Sequence, residues 1–229
     1  MSRPCHPGTA TPRKPRARRA WCTVRGVHGR CAARRRSLVA LLLAVGMVLA
    51  GCSTGSDAVA TGGDFQFVAP GGQQIIHYEP PEARGTLRRL SGESLLQPGR
   101  QTGIQDYPNQ VVVINIWGSW CGPCRAEVND LQQLYQNSKA RGVAMLGIDI
   151  RDSYRDAAAD FVHDQKLTYP SIYDPPGRSL DGLRGYPRNV VPSTIVLDRQ
   201  HRVAAVFLTV VRLGQLAPVV QQLAAEPTS

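Results

Sequence analysis

Three features of the sequence predict an α/β domain, a central mixed sheet flanked by helices and preceded by an N-terminal extension. "VVVINIW" (Val111–Trp117) and "VAMLGIDI" (143–150) are unbroken apolar runs rich in β-branched residues, as expected of strands covered on both faces. Each is followed by apolar residues at helical spacing, the alternation that builds parallel strand-helix-strand units. Near the C-terminus "STIVLD" and "RVAAVFL" are separated only by Arg199, Gln200 and His201. That connection is too short for a crossover, so the last two strands pair antiparallel.

Taken in order, "DFQFVAP" and "QQIIHY" read as short strands, and residues 79–100, rich in turn formers and without a period, as irregular covering structure. After the first long strand, Val128, Leu131, Leu134 and Tyr135 mark a helix that begins at Cys121. It ends near Lys139 and Arg141, with Gly142 as its C-cap. Ala158, Phe161 and Val162 mark a second helix, "YPSIYD" a short strand, and Leu180 with Leu183 a short helical segment. Leu216, Val220 and Leu223 mark a last helix, with Pro218 expected in its first turn, where proline is tolerated.

The chain has 229 residues and a formal net charge of +10, but the charge is not spread evenly. The first 36 residues carry eleven Lys or Arg and no acid, which leaves sixteen basic against seventeen acidic residues in the rest. The near-neutral remainder argues against a nucleic-acid partner. An apolar run follows Arg34-Arg35-Arg36 and ends at "LAGC" (49–52). It is shorter than the roughly 20 residues of a membrane span and has the basic flank and small-residue exit of a secretory signal. Arg35-Arg36 also loosely fits a twin-arginine signal, with ordinary Sec export ranked first. Initiation nearer Val24 or Val27 would account for the length of the basic leader. The ending resembles the lipobox of bacterial lipoproteins, which implies a signal peptide over 1–51, lipidation of Cys52 and anchorage on the outer face of the cell membrane. Residues 52–63 then form a flexible tether and 64–229 the folded domain. The alternative is an uncleaved signal anchor with Cys52 a bystander.

Cleavage there leaves three cysteines, Cys52, Cys121 and Cys124, too few for a disulfide framework once Cys52 is lipidated. "WCGPC" (120–124) admits three readings: a redox couple, half of a metal site, or a structural staple. Zinc needs four ligands, and His163 and His201 lie far along the chain without paired spacing, so no metal is expected. Arg125 follows Cys124, which removes a CxxCH haem attachment site. A bridge across two residues constrains little of the chain. A redox couple remains, with no further cofactor. Cys121 at a helix N-terminus lies where free N–H groups favour a thiolate, the attacking species, and Cys124, one turn deeper, is the resolving thiol. Trp120 shields the flank.

The element order, WCGPC at the start of the first helix and Val191-Pro192 before the hairpin together resemble the thioredoxin fold. More narrowly, "VVVINIWGSWCGPCRAEV", "LGIDIRDS", "YPSIYD" and "VPSTIVLDRQHRV" resemble the membrane-tethered TlpA and ResA-like thiol-disulfide oxidoreductases of bacteria, over about 102–223. Thr209 departs from the pattern, since relatives usually place a glycine there. The resemblance implies that Pro192 is a cis-proline facing the cysteines and that the Val191 main chain pairs with an extended substrate, with an ordinary trans turn as the alternative. It also implies that Glu127 relays the Cys124 proton and raises the thiol pKa, the alternative being a solvated helix residue. At the position where thioredoxins bury an Asp stands Asn115, which cannot accept a proton. The implied activity is reduction of protein disulfides in exported proteins. The favoured substrate is the CxxCH of apocytochrome c, with electrons from a CcdA or DsbD-like membrane protein. A disulfide-forming oxidase or isomerase, and a non-catalytic binding module for an assembly factor, stay open. The Gly-Pro dipeptide of the motif matches thioredoxin, at about −270 mV, and leans toward a reductant.

Overall fold

The structure, a computed structural model, describes residues 63–227. The expected signal peptide (1–51), Cys52 and all but the last residue of the expected tether (52–63) lie outside the described residues.

Among the described residues eight strands form two sheets: β1 (Ile75–His77), β2 (Ser91–Glu93), β3 (Gln101–Gly103), β4 (Val111–Trp117), β5 (Val143–Asp149), β6 (Ser171–Tyr173), β7 (Ser193–Leu197) and β8 (Val203–Phe207). Among the described residues three α-helices accompany them, α1 (Gly122–Ser138), α2 (Arg155–Asp164) and α3 (Leu213–Ala225). The main sheet runs β1-β8-β7-β4-β5-β6, while β2 and β3 pair as a separate hairpin. β4, β5 and β6 are parallel, and β7, β8 and β1 join antiparallel. This is the expected mixed sheet, with β4 at its centre and every β4 residue buried.

The connections from β4 to β5 and from β5 to β6 place α1 and α2 on one face of the sheet. Val111, Val113 and Met145 on that face pack with Leu131 and Leu134 of α1 and Leu216, Val220 and Leu223 of α3. Trp117, at the end of the same β4 face, stacks on Phe161 of α2 with ring centroids 4.9 Å apart.

The alternate residues Val112, Ile114, Ile116, Leu146 and Ile148 point to the opposite face. Among the described residues no α-helix lies over that face. Phe65, Tyr78, Leu87, Leu90 and Ile104 from the N-terminal extension cover it, together with Leu180, Leu183 and Tyr186. The extension is therefore a layer of the core, and the stretch read as irregular, 79–100, contains β2, whose hairpin partner β3 follows it directly.

Two expectations are corrected. "DFQFVAP" makes only isolated bridges, Asp64 with Thr86 and Gln66 with Arg184, because its partners are loops and not strands. Pro218 is not in the first turn of α3, which starts five residues earlier at Leu213. The carbonyl that loses its bond to a proline nitrogen belongs to the residue four before, Gly214, and both residues are exposed, so water can take the bond.

Buried Arg84, 0% exposed, ties the extension to the domain. It pairs with Glu79 at 2.7 Å, Asp198 at 3.2 Å and both carboxylate oxygens of Glu226 at 2.8 and 2.7 Å, and donates to Tyr78 O at 3.3 Å. Burial alone would lower its pKa; the hydrogen bonds to Glu226, Glu79 and Asp198 outweigh that and raise it.

Candidate active site

The site forms where β4 ends. Gly118 turns the chain, the Cys121 N–H donates to Gly118 O at 3.0 Å, and α1 begins at Gly122 with Cys121 as its N-cap. The Cys121 side chain caps the helix itself, its Sγ accepting from the Cys124 N–H at 3.1 Å. Pro123 in the first turn has no N–H to lose. Cys121 and Cys124 are joined by a disulfide. Each is 2% exposed, so in this oxidised form burial does not separate an accessible thiol from a deep one; the capping role does.

Trp120 is 48% exposed and folds back over Gly118, where a Cβ would collide with the indole nitrogen. The indole N–H donates to Ile150 O at 3.0 Å, and the Arg151 guanidinium sits 4.5 Å above the ring. On the facing side the Val191-Pro192 peptide is cis. Val191 packs against the cluster that contains Cys121, Cys124, Trp117 and Phe161. The antiparallel pairing of β7 with β4 sets Thr194 opposite Asn115.

Glu127 is no solvated helix residue. It is 1% exposed, three residues beyond Cys124 on the buried side of α1. Its Oε1 accepts from Asn115 Nδ2 at 2.9 Å and its Oε2 from the Val211 N–H at 2.9 Å, while Asn115 Nδ2 also donates to Thr194 Oγ1 at 3.3 Å. Burial pushes the Glu127 carboxyl up to about 7, against the two hydrogen bonds, which favour the charged form. The proton-binding group that the Asn115 strand position lacks is thus supplied from α1, with Asn115 as its hydrogen-bond partner.

The sequence brings together Trp120, Cys121, Cys124, Glu127, Val191 and Pro192, and the structure places all six at this end of the sheet. Missed were Thr194 and the Val211 amide, which hold Asn115 and Glu127, and the buried acids Asp149 and Asp152 behind the loop. An acid inside the apolar run of β5 was the signal for the first of these. Among the described residues no cluster of three Cys, His, Asp or Glu could hold a metal, and no helix is long and apolar enough to cross a membrane.

A mixed sheet with a CxxC disulfide capping the helix after its central strand, faced by a cis-proline, defines a thioredoxin-like redox protein. The sequence profile of the AhpC/TSA family matches residues 91–206, about half of the chain. The chain belongs to that family, with the ResA and DsbE thiol-disulfide oxidoreductases among its relatives. It is 32% identical over 141 residues to the thiol:disulfide interchange protein DsbE of Pseudomonas aeruginosa, covering 58% of this chain and 73% of that one. It is 28% identical over 105 residues to the thiol-disulfide oxidoreductase ResA of Bacillus thuringiensis, covering 46% of this chain and 58% of the relative's length. A crystal structure of a secreted thiol-disulfide isomerase from Corynebacterium glutamicum superposes with a TM-score of 0.69 at 46% identity, over 72% of this chain and all of that one.

Proposed function

We propose that the protein is an extracytoplasmic thiol-disulfide oxidoreductase, held at the membrane through a lipid on Cys52, that exchanges disulfides with exported proteins. The observation that carries the reading is the Cys121–Cys124 disulfide at the N-terminus of α1 with buried Glu127 one turn further on. In the reductive direction the Cys121 thiolate attacks a substrate sulfur, the substrate S–S bond breaks, and a Cys121–substrate disulfide forms. The departing substrate sulfur takes up a proton. Cys124, deprotonated by Glu127, then attacks the Cys121 sulfur, closing the 121–124 disulfide and releasing the second substrate thiol; two electrons pass to the substrate. Val191 aligns the substrate main chain beside the disulfide, with Trp120 on the other flank and Pro192 setting the Val191 orientation.

The CxxCH disulfide of apocytochrome c is the substrate implied by the TlpA and ResA-like resemblance, with a CcdA or DsbD-like membrane protein returning electrons. A second reading, an oxidase or isomerase for exported proteins, is favoured by the 46% identity to the secreted isomerase. The redox state of the pair in cells separates them: reduced for the first, oxidised or mixed for the second.

Cys124→Ser is expected to trap mixed disulfides with exported proteins, identified by mass spectrometry, and Cys121→Ser to trap few. Equal trapping by both would reverse or abolish the assigned roles. For the anchor, the native chain should incorporate labelled fatty acid and Cys52→Ala should not; a membrane-held form without label would overturn it.

A further inference from the structure

The end of β5 buries an acid that the exchange chemistry does not use. Asp149 is 0% exposed, in register with Trp117 on one side and Tyr173 on the other. Among the described residues no N–H or O–H donor reaches either of its carboxyl oxygens. The group in hydrogen-bonding reach is a second carboxyl, Asp152, and two carboxyls can bond only when one carries a proton.

Asp152 is itself 5% exposed, and its two oxygens accept from the Ser119 N–H at 2.7 Å and the Ser119 Oγ–H at 2.6 Å. Acids this close and this deep do not both ionise. Asp149, whose oxygens have no donor, keeps the proton and donates it toward Asp152, whose oxygens already accept from Ser119.

The other charged groups facing the pair are committed elsewhere. Arg155, in the first turn of α2, pairs with Glu93 at 3.2 Å, donates to Ser94 O and Leu95 O, and lies 4.3 Å over the Tyr173 ring. Asp174, after β6, accepts from the Arg178 and Ser179 N–H groups. Tyr173 donates its hydroxyl to Asp152 O. Burial first, then Asp152, pushes the Asp149 carboxyl up to about 9, with Arg155 opposing and Asp174 adding.

We propose that Asp149 and Asp152 share one proton and form a latch that fixes the Ser119–Trp120 segment beside the disulfide, neutral Asp149 acting as a positioning residue for Cys121. The latch runs from Asp149 through Asp152 to Ser119, two residues before Cys121. The Trp120 indole bonded to Ile150 O and the Ile150 N–H bonded to Trp117 O tie the same stretch to β5. Loss of the proton sets two buried like charges against each other and drives Asp152 off Ser119, freeing the segment. Only the consequence for rate rests on the thiol-exchange reading; the latch is read in oxidised protein, where the cysteines do not titrate.

The test uses the full chain, oxidised, with Trp120 emission followed from pH 6 to pH 10 and assigned by Trp120→Phe. Wild type is expected to show a one-proton transition between about pH 8 and 10. Asp149→Asn, which keeps a donor toward Asp152 but cannot ionise, is expected to show none, and its 121–124 disulfide to exchange with reduced glutathione at pH 7 within about twofold of wild type. Asp149→Leu, with no donor, is expected to show the alkaline emission already at pH 7 and to exchange at least about fivefold more slowly. The same transition in Asp149→Asn, or an Asn variant as slow as the Leu variant, overturns the proposal. Should neither variant fold, carboxyl carbon NMR of labelled aspartate in wild type decides: a side chain still protonated at pH 7 supports the latch, and full ionisation of all aspartates overturns it. Absence of exchange in wild type with the transition intact would remove the thiol-exchange reading and leave the latch standing.

Discussion

Arg84→Met is expected to cost about 3 kcal/mol of stability, the lower end of the range for a buried ion pair that loses one partner. The arginine is fully buried and holds three carboxylates from segments far apart in the chain: Glu79 in the extension, Asp198 at the end of β7, and Glu226 just past α3. Removing it leaves Asp198 partly served, since Arg202 Nε stays at 2.8 Å and the Gln200 and Arg202 N–H groups still donate to it. Glu79 and Glu226 have side chains 43% and 24% exposed and can turn toward water, which holds the loss to the lower end. For a domain of this size the loss corresponds to a fall in melting temperature of roughly 6–12 °C, measurable by thermal unfolding of the full chain. Arg84→Lys should recover only part of it, because an ammonium cannot reproduce the bidentate hold on Glu226. A melting temperature unchanged in Arg84→Met would mean that the extension packs on the sheet through Phe65, Leu87 and Leu90 alone.

That cluster also marks where sequence reasoning reached its limit. The strands β4 and β5, α1 between them and the β7–β8 hairpin were legible because each is a continuous segment with its own period. The extension has none. It covers the second face with single side chains, Phe65, Tyr78, Leu87, Leu90 and Ile104, separated by prolines, glycines and charges. Only a sheet already in place gives those residues a common side. Arg84 is illegible for the same reason, its partners Asp198 and Glu226 lying 114 and 142 residues away. Pro218 misled through a local rule that an exposed Gly214 carbonyl relaxes.

Within the site, spacing placed Cys121, Cys124 and Glu127 on one helix, and the family resemblance set Pro192 opposite. It could not show that the return of the chain after β8 would cover Glu127 and bring the Val211 amide to it. That return begins near Thr209, the position that departs from the family pattern. The burial it completes turns a surface-compatible glutamate into a group that titrates close to neutral pH.

Glu127→Gln is expected to produce the largest loss of activity after the cysteines themselves. As acceptor of the Cys124 proton, Glu127 contributes a general-base effect worth roughly 100-fold in the step that resolves the mixed disulfide. The variant should fold. The glutamine oxygen can take the Val211 N–H, and its amide can face Asn115 once the Asn115 side chain flips to present its oxygen. The thiol titration moves in the opposite sense from the rate. With a carboxyl near 7, Glu127 is charged above neutral pH and disfavours a second anion nearby; the glutamine removes that charge. The pH profile of Cys121 alkylation in the reduced full chain should therefore shift downward. Stability provides an independent sign. An acid whose pKa is higher folded than unfolded binds its proton more tightly in the native state, so its contribution is full below about pH 4.5 and is lost as pH rises to about 7. Glu127→Gln should therefore gain on wild type across that interval and keep a constant margin above it. Faster alkylation, slower resolution and a stability margin that grows with pH form a pattern that no loss of packing alone produces. Superimposable alkylation curves with unchanged resolution would make Glu127 a structural tie between α1 and the chain after β8, and would leave the Cys124 proton to solvent.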